Sequence, residues 1–316
     1  MKKYIVSACF LLLSALPAFA QEAFDKTEIV NRLADIMNEN YVFPDKGKAM
    51  HDLIKAKLQK GEYDQLTSAN AFAQQLDTDL KSIIHDKHIR VRFNKETVAA
   101  LQNREPGGGR QIPQHYGFKE VKLLEDNIGY LDLRGFLDIG VARKAAKKAM
   151  DKLIQADAII FDLRQNGGGS PSMIRFISAY IFGEDPVHLN DFYWRPSDSY
   201  TESWTRPSAA SVHKPDIPVY VLTSSYTFSA AEEFTYNLKN LERATIIGET
   251  TGGGAHPGGP MVINDSFFVN VPQGRAINPV TKTNWEGTGI EPHIKTTKEE
   301  ALNKALELAR RALSTR

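Results

Sequence analysis

Ser229 stands where a short apolar run, Ile217 to Leu222, gives way to a helical pattern that starts at Ala230. A hydroxyl at a strand-to-helix turn has two uses. Serine is among the best N-cap residues, because its oxygen accepts from first-turn amides. It is also a nucleophile type. The unsatisfied amides of a first helical turn, that of Ala230 included, and the helix dipole favour the negative charge of a tetrahedral oxyanion. From Ser229 alone, both uses stay open.

A second loop narrows the chemistry. Phe161-Asp162-Leu163-Arg164-Gln165-Asn166-Gly167-Gly168-Gly169 also follows an apolar strand pattern and precedes a helical one. Glycines there let backbone come close to a substrate and present amides without side chains in the way. A phosphate-binding loop would need a Gly-Lys-Ser/Thr ending, and a dinucleotide loop the G-x-G-x-x-G spacing; neither is present. Gly168 or Gly169 therefore reads as an oxyanion donor to partner Ala230, placed where α/β sites lie, at strand carboxyl ends.

The elements that must position these loops follow from periodicity. Ile29, Leu33, Ile36, Met37 and Tyr41 fall at helical spacing, Met50, Leu53, Ile54 and Leu58 form a second set, and Phe72, Leu76, Leu80, Ile83 and Ile84 a third. Residues 21–87 thus read as a small three-helix bundle. His88 to Phe93 alternates at period two, as a half-buried strand does. Pro106 to Gly109 marks a loop. Strands are expected at Tyr116 to Leu124, Asn127 to Leu133, Ala158 to Leu163, Ile217 to Leu222 and Ala244 to Ile247, with helices at Val141 to Ile154, Ser172 to Phe182 and Ala230 to Leu238. Residues 187–215 read as irregular and aromatic. Strand-like runs at Met261 to Ile263 and Phe267 to Val271 precede a closing helix, Lys298 to Leu313. Strands alternating with helices over 88–316 predict an α/β core with right-handed crossovers.

Lys2 and Lys3, an apolar run from Tyr4 to Leu16 and Pro17-Ala18-Phe19-Ala20 read as a secretory signal over residues 1–20, cleaved near Ala20. The apolar run is shorter than a bilayer-spanning helix needs. The chain is therefore expected to be exported, periplasmic or secreted, without stable membrane insertion afterwards. Cys9 is the one cysteine, so the mature chain would have no disulfide, catalytic thiolate or cysteine zinc ligand. Without Lys2 and Lys3 the 39 Lys and Arg fall to 37 against 38 Asp and Glu, which gives no electrostatic case for nucleic acid or an anionic membrane.

At this point the residues resemble a family. Asp162-Leu163-Arg164-x-Asn166-x-Gly168-Gly169, followed by a strand and Thr227-x-Ser229-Ala230-Ala231-Glu232, is similar to the tail-specific proteases, tricorn core peptidases and interphotoreceptor retinoid-binding protein modules. Gly248-Glu249-Thr250-Thr251-Gly252-Gly253 and Gly287-Thr288-Gly289-Ile290-Glu291-Pro292 match two further blocks in order, and Asn40-Tyr41-Val42-Phe43-Pro44 resembles the opening of the retinoid-binding-protein-like branch. The resemblance covers nearly the whole mature chain. It implies a crotonase-like (ClpP/crotonase) α/β spiral core preceded by the three-helix bundle, and a serine endopeptidase with Ser229 as nucleophile and no metal or organic cofactor.

Tail-specific proteases activate their serine with a lysine about 25 residues later; here Gly254 holds that place, and Lys239 lies inside a helix. The tricorn-like alternative takes a histidine entering a strand, and Ile84-His85-Asp86-Lys87-His88-Ile89-Arg90 matches that block with His88 at the histidine position. A neutral imidazole accepts a seryl proton near neutral pH. The same likeness implies Glu286, in Trp285-Glu286-Gly287, as the group that orients the base. His85 and His256 are rival bases. His85 and His88 lack a third ligand at metal-site spacing. Only about twenty residues separate Phe93 from Tyr116, too few for a PDZ module of about 80–90 residues, so strand addition of a substrate's carboxyl terminus to such a groove is not expected. The expected partner is a peptide or protein substrate. Two other readings remain: an apolar-ligand-binding protein on the same scaffold, with Phe192-Tyr193-Trp194 and Trp204 lining a pocket, and an esterase or amidase.

Overall fold

The computed structural model describes residues 24–103 and 112–315. The expected signal segment and the glycine loop at Pro106 to Gly109 lie outside these residues. Asp25 caps α1 (Lys26–Asn40) by accepting from the Thr27 and Glu28 amides. Pro44, with φ preset for a first helical turn, opens α2 (Pro44–Gln59), and Ser68 caps α3 (Ala69–Ile83). The chain then enters β1 (Arg90–Phe93) and a short helix, α4 (Lys95–Gln102), that Asn94 caps.

The central layer starts with β2 (Phe118–Leu123), β3 (Ile128–Leu133), α5 (Ile139–Leu153), β4 (Ala158–Asp162) and α6 (Pro171–Ile181). Residues 187–215, expected to be irregular, instead contain β5 (His188–Trp194) and β6 (Ser199–Trp204). They pair antiparallel across a turn in which Asp198 is left-handed, with φ 43°. Polar residues such as Asn190 and Ser203 occupy buried places on these strands, so the apolar alternation that reveals a strand is missing. β7 (Val219–Thr223), α7 (Ala230–Asn240), β8 (Thr245–Gly248), β9 (Gly258–Val262), β10 (Phe267–Pro272), β11 (Gly274–Ile277), β12 (Ile294–Lys295) and α8 (Ala301–Ser314) complete the chain.

The main sheet has the order β12-β8-β7-β4-β3-β2, parallel throughout except for β2 against β3. Its central strands β3, β4, β7 and β8 are buried on both faces, period-two alternation sending successive side chains to opposite layers, while the edge strands β2 and β12 are largely open. Leu131, Leu133, Ile159, Phe161, Val219 and Val221 meet apolar residues of α5, α6 and α7. Tyr130, Ile160, Tyr220 and Leu222 meet α8, whose Ala301, Ala305 and Ala309 let the helix approach closely. Each fully buried large side chain contributes about 1.5–3 kcal/mol relative to exposure.

A second sheet, β1-β10-β9, joins distant parts of the chain: Arg90 pairs with Asn270 and Phe93 with Phe267. Its Val91, Phe267, Val269 and Val271 share one core with Leu33, Met37, Phe72 and Leu76 of the helices. The helical region is therefore fastened to the late part of the chain, and β1 starts just after His88. A third sheet, β11-β5-β6, lies beside α7.

Candidate active site

Two parallel strands end side by side, and the loops that leave them build the site. Asn166, fully buried, staples the first loop: its amide donates to the Leu133 carbonyl at 2.8 Å, and its own carbonyl accepts from the Phe228 amide at 3.1 Å. Thr227 donates its hydroxyl to the Leu163 carbonyl at 2.9 Å. The glycine loop and the Ser229 turn are thus held as one unit. Gly168 lies against Ser229 so closely that a Cβ there would come within 2.7 Å of the serine Cβ.

Ser229 takes φ 57° and ψ −122°, a region that costs a non-glycine residue about 1–3 kcal/mol and marks functional turns. Glu232 holds it there. This buried carboxylate accepts from the Ser229 amide at 2.9 Å, the Gly253 amide at 2.6 Å, the Gly254 amide at 2.9 Å and the Thr251 hydroxyl at 2.5 Å. Burial pushes its carboxyl upward, and the four donors pull the other way. The Glu three residues after an N-cap serine is the capping-box signature, so the sequence carries a signal for this missed residue.

His88 Nε2 lies 3.0 Å from Ser229 Oγ. Its ring packs on Phe228, with centroids 4.6 Å apart, and its carbonyl accepts from Asn270 on β10 at 2.8 Å. Burial lowers the imidazole to about 4; Asp86 opposes this, while His256 and Arg90 add to it. The ring is therefore neutral near pH 7, as a proton acceptor must be.

Behind His88 sits Asp86. Its Oδ1 is 3.8 Å from His88 Nδ1 and accepts from the His88 backbone amide at 2.9 Å. His88 Nδ1 has no hydrogen-bond partner among the described residues, and 3.8 Å is too long for one, though close enough for a strong charge interaction. Asp86 Oδ2 accepts from Tyr41 at 3.1 Å and from His256 Nδ1 at 2.7 Å. Burial raises the Asp86 carboxyl, but the His256 hydrogen bond and charge, with the His88 backbone amide, prevail and hold it below the usual range. Tyr41 comes from the α1–α2 junction, which fixes why the Asn40-to-Pro44 block belongs to the site.

Glu286 lies one step further away. Its Oε2 accepts from the Ala255 amide at 2.5 Å and is 3.5 Å from His256 Nδ1. Burial and the Asp86 charge push this carboxyl up to about 7. The ligand atoms of Asp86, His256 and Glu286 lie within 4.8 Å of one another, which a metal ion would require. Hydrogen bonds among Asp86, His256, Tyr41 and Ala255 engage Asp86 Oδ2, His256 Nδ1 and Glu286 Oε2, while the buried Glu286 Oε1 has no partner among the described residues.

The description "Peptidase family S41" matches residues 127–296, more than half of the chain. The chain belongs to peptidase family S41. Residues 24–120 match the "N-terminal domain of Peptidase_S41 in eukaryotic IRBP". Over 212 residues the S41 chain is 26% identical to a "probable CtpA-like serine protease" of Staphylococcus haemolyticus, covering 65% of this chain and 41% of that protein. It thus spans about two-fifths of the length of that curated relative. A crystal structure from Parabacteroides merdae has a TM-score of 0.63 at 22% identity, covering 90% of this chain and 96% of the other. The photosystem II D1 C-terminal processing protease has a TM-score of 0.56 at 15% identity, covering 87% and 94%. At these identities the likeness to solved structures is one of fold.

In the S41 chain the expected residues are placed unequally. Ser229, His88 and Ala230 meet, while Glu286 reaches His88 only through His256 and Asp86. His85 is exposed, and His256 bonds Asp86 rather than Ser229 among the described residues. Gly168 donates its amide to Asn166 Oδ1 at 2.9 Å. Gly169 keeps its amide free of protein acceptors among the described residues, because its bridge to Phe136 uses the Gly168 carbonyl and the Ser170 amide. Gly254, in the place of a dyad lysine, has no room for a side chain: a Cβ would meet Phe228 at 2.2 Å and His88 Cε1 at 2.8 Å. Asp86 and Glu232 are the site residues that sequence reasoning missed. No described helix is long and apolar enough to cross a membrane.

Proposed function

We propose that this chain is an exported serine endopeptidase that cleaves peptide bonds through an acyl-enzyme on Ser229. The observation that carries the reading is the 3.0 Å contact between His88 Nε2 and Ser229 Oγ at the start of α7. Ser229 Oγ attacks the scissile carbonyl carbon and its proton passes to His88 Nε2. The oxyanion is held by the Ala230 amide and by Gly169, which has its amide free where that of Gly168 is engaged. The C–N bond then breaks, and the departing amine takes the proton from His88. Water, deprotonated by His88, attacks the ester carbonyl, and the acyl C–O bond breaks as Ser229 Oγ takes that proton back from His88.

Asp86 stabilises the imidazolium that forms between these steps, and Tyr41, His256 and Glu286 hold Asp86 in place. Glu286 is thus a positioning residue at one remove. No step calls for a metal or an organic cofactor. The α/β part is read as the crotonase-like spiral of the family, with residues 21–87 as the helical region that supplies Tyr41 and 88–316 as the catalytic core. Export rests on the signal pattern of residues 1–20.

The cleft that carries Phe192 beside Ser229 is too small to house an apolar ligand. Its volume is about 50 Å³, with Phe192 and Trp285 in its wall. Pockets for ligands of that kind measure about 300–1,000 Å³. Hydrolysis of matched peptide and ester substrates tests the function: the proposal expects cleavage of internal peptide bonds, abolished by Ser229→Ala. Ester cleavage without peptide cleavage would make it an esterase.

A further inference from the structure

Glu233 is a carboxyl group that acyl transfer does not use. It lies one helical turn after Ser229 on α7, is 3% exposed, and its Oε1 has no hydrogen-bond partner among the described residues. Together with Ser229 and Ala230 it lines the cleft of about 50 Å³, whose other walls include Pro171, Phe192, Ala276 and Trp285. Apart from the Ser229 hydroxyl and backbone groups, this acid is the one polar side chain in the wall. A cleft that holds both the nucleophile and an oxyanion amide receives the side chain of the residue whose carbonyl is attacked, the P1 residue.

The same sheet face carries more unpartnered polar groups. Asn190 lies two residues before Phe192 on β5, hence on the same face, and both atoms of its amide lack partners among the described residues. Among the described residues, the hydroxyl of Ser203, opposite Asn190 on β6, has no partner, nor has either amide atom of Asn237 on α7, one turn beyond Glu233. Buried polar groups are rarely left unmatched, and those that are tend to have functional reasons.

We propose that this cleft is the P1 pocket and that Glu233 selects an uncharged, hydrogen-bonding P1 side chain: serine, threonine or asparagine. The inference rests on the peptidase reading and names its substrate class. The small cleft admits only a short side chain. Burial pushes the Glu233 carboxyl up to about 8 against the pull of the Arg175 guanidinium. Near pH 7 it therefore keeps its proton and offers both an O–H donor and a carbonyl acceptor. An aliphatic P1 side chain leaves that acid buried and unmatched, which is how sites reject an analogue that lacks a hydroxyl. Arg175 already places one positive charge near the acid, so a lysine side chain gains little there.

The test is a series of peptide substrates that differ only at P1 (Ala, Val, Ser, Thr, Asn and Lys), cleaved by the mature chain and by its Glu233→Gln and Glu233→Leu variants. The expected kcat/KM for Ser, Thr or Asn exceeds that for Ala or Val by about tenfold, the worth of one buried hydrogen bond. Glu233→Gln keeps the preference and Glu233→Leu removes it. A wild-type preference for Ala, Val or Lys overturns the proposal even if neither variant folds, as does a preference that survives Glu233→Leu. A small fluorophosphonate with no P1 side chain separates the two readings. Labelling without P1 preference sinks the pocket alone, and a wild type that neither labels nor cleaves sinks both.

Discussion

Asp86, not Glu286, faces the His88 nitrogen that points away from Ser229: Asp86 Oδ1 lies 3.8 Å from His88 Nδ1, and Glu286 meets His256 at 3.5 Å. The line of contacts runs Ser229, His88, Asp86, His256, Glu286. Influence on the proton transfer should fall along it.

Asp86→Asn is expected to lower kcat/KM by about a hundredfold, because the imidazolium loses its counter-charge. Glu286→Gln is expected to cost about tenfold or less, since it acts through two intervening residues. Steady-state kinetics on the two variants check the order. A larger loss at Glu286 than at Asp86 would reverse the assignment.

The pH profile follows from the lowered His88. Protonation of His88 removes the base, so kcat/KM falls only as pH drops through about 4. An unshifted histidine would titrate near pH 6.5 and lose about tenfold by pH 5.5. In a Glu286→Gln variant, which removes a network carboxyl that titrates at about 7, kcat/KM at pH 5.5 is therefore expected to stay within about twofold of its value at pH 7.5. Asp86→Asn should move the acid limb further down, because the Asp86 charge raises the His88 value.

Gly254 separates the two ways of activating a serine. Gly254→Ala drives a methyl group into Phe228 and His88, at an expected cost of about 1–3 kcal/mol in stability and most of the activity. Gly254→Lys is not expected to restore activity to a His88→Ala variant. Denaturant titration and peptide hydrolysis measure both effects, and a fully active Gly254→Ala would show that the His88 ring is not confined as described.

Glu232 fixes the strained serine. Glu232→Ala leaves the Ser229, Gly253 and Gly254 amides without their acceptor, and a loss of about 3 kcal/mol is expected by chemical denaturation. A change below about 1 kcal/mol would mean that other contacts hold Ser229 at φ 57°.

Ser229, His88 and the glycine loop were legible because each sits at a boundary between strand and helix patterns and in a block shared with a family. Asp86 lies within the same block as His88, yet its role depends on His256, 170 positions later, which only folding brings to it. Glu286 was read two contacts too close to His88, because spacing along a chain does not say which of several neighbours intervene. β5 and β6 escaped detection since the buried Asn190 and Ser203 break the apolar alternation. The pairing of β1 with β10, which sets His88 over Ser229, leaves no local trace in either segment.

The most direct test of the account is intact-mass measurement of fluorophosphonate labelling on the protein at neutral pH. Wild type is expected to gain one adduct at Ser229, Ser229→Ala none, and His88→Ala to label at least about a hundredfold more slowly. A wild type that takes up no label, or a His88→Ala variant that labels at the wild-type rate, would contradict it.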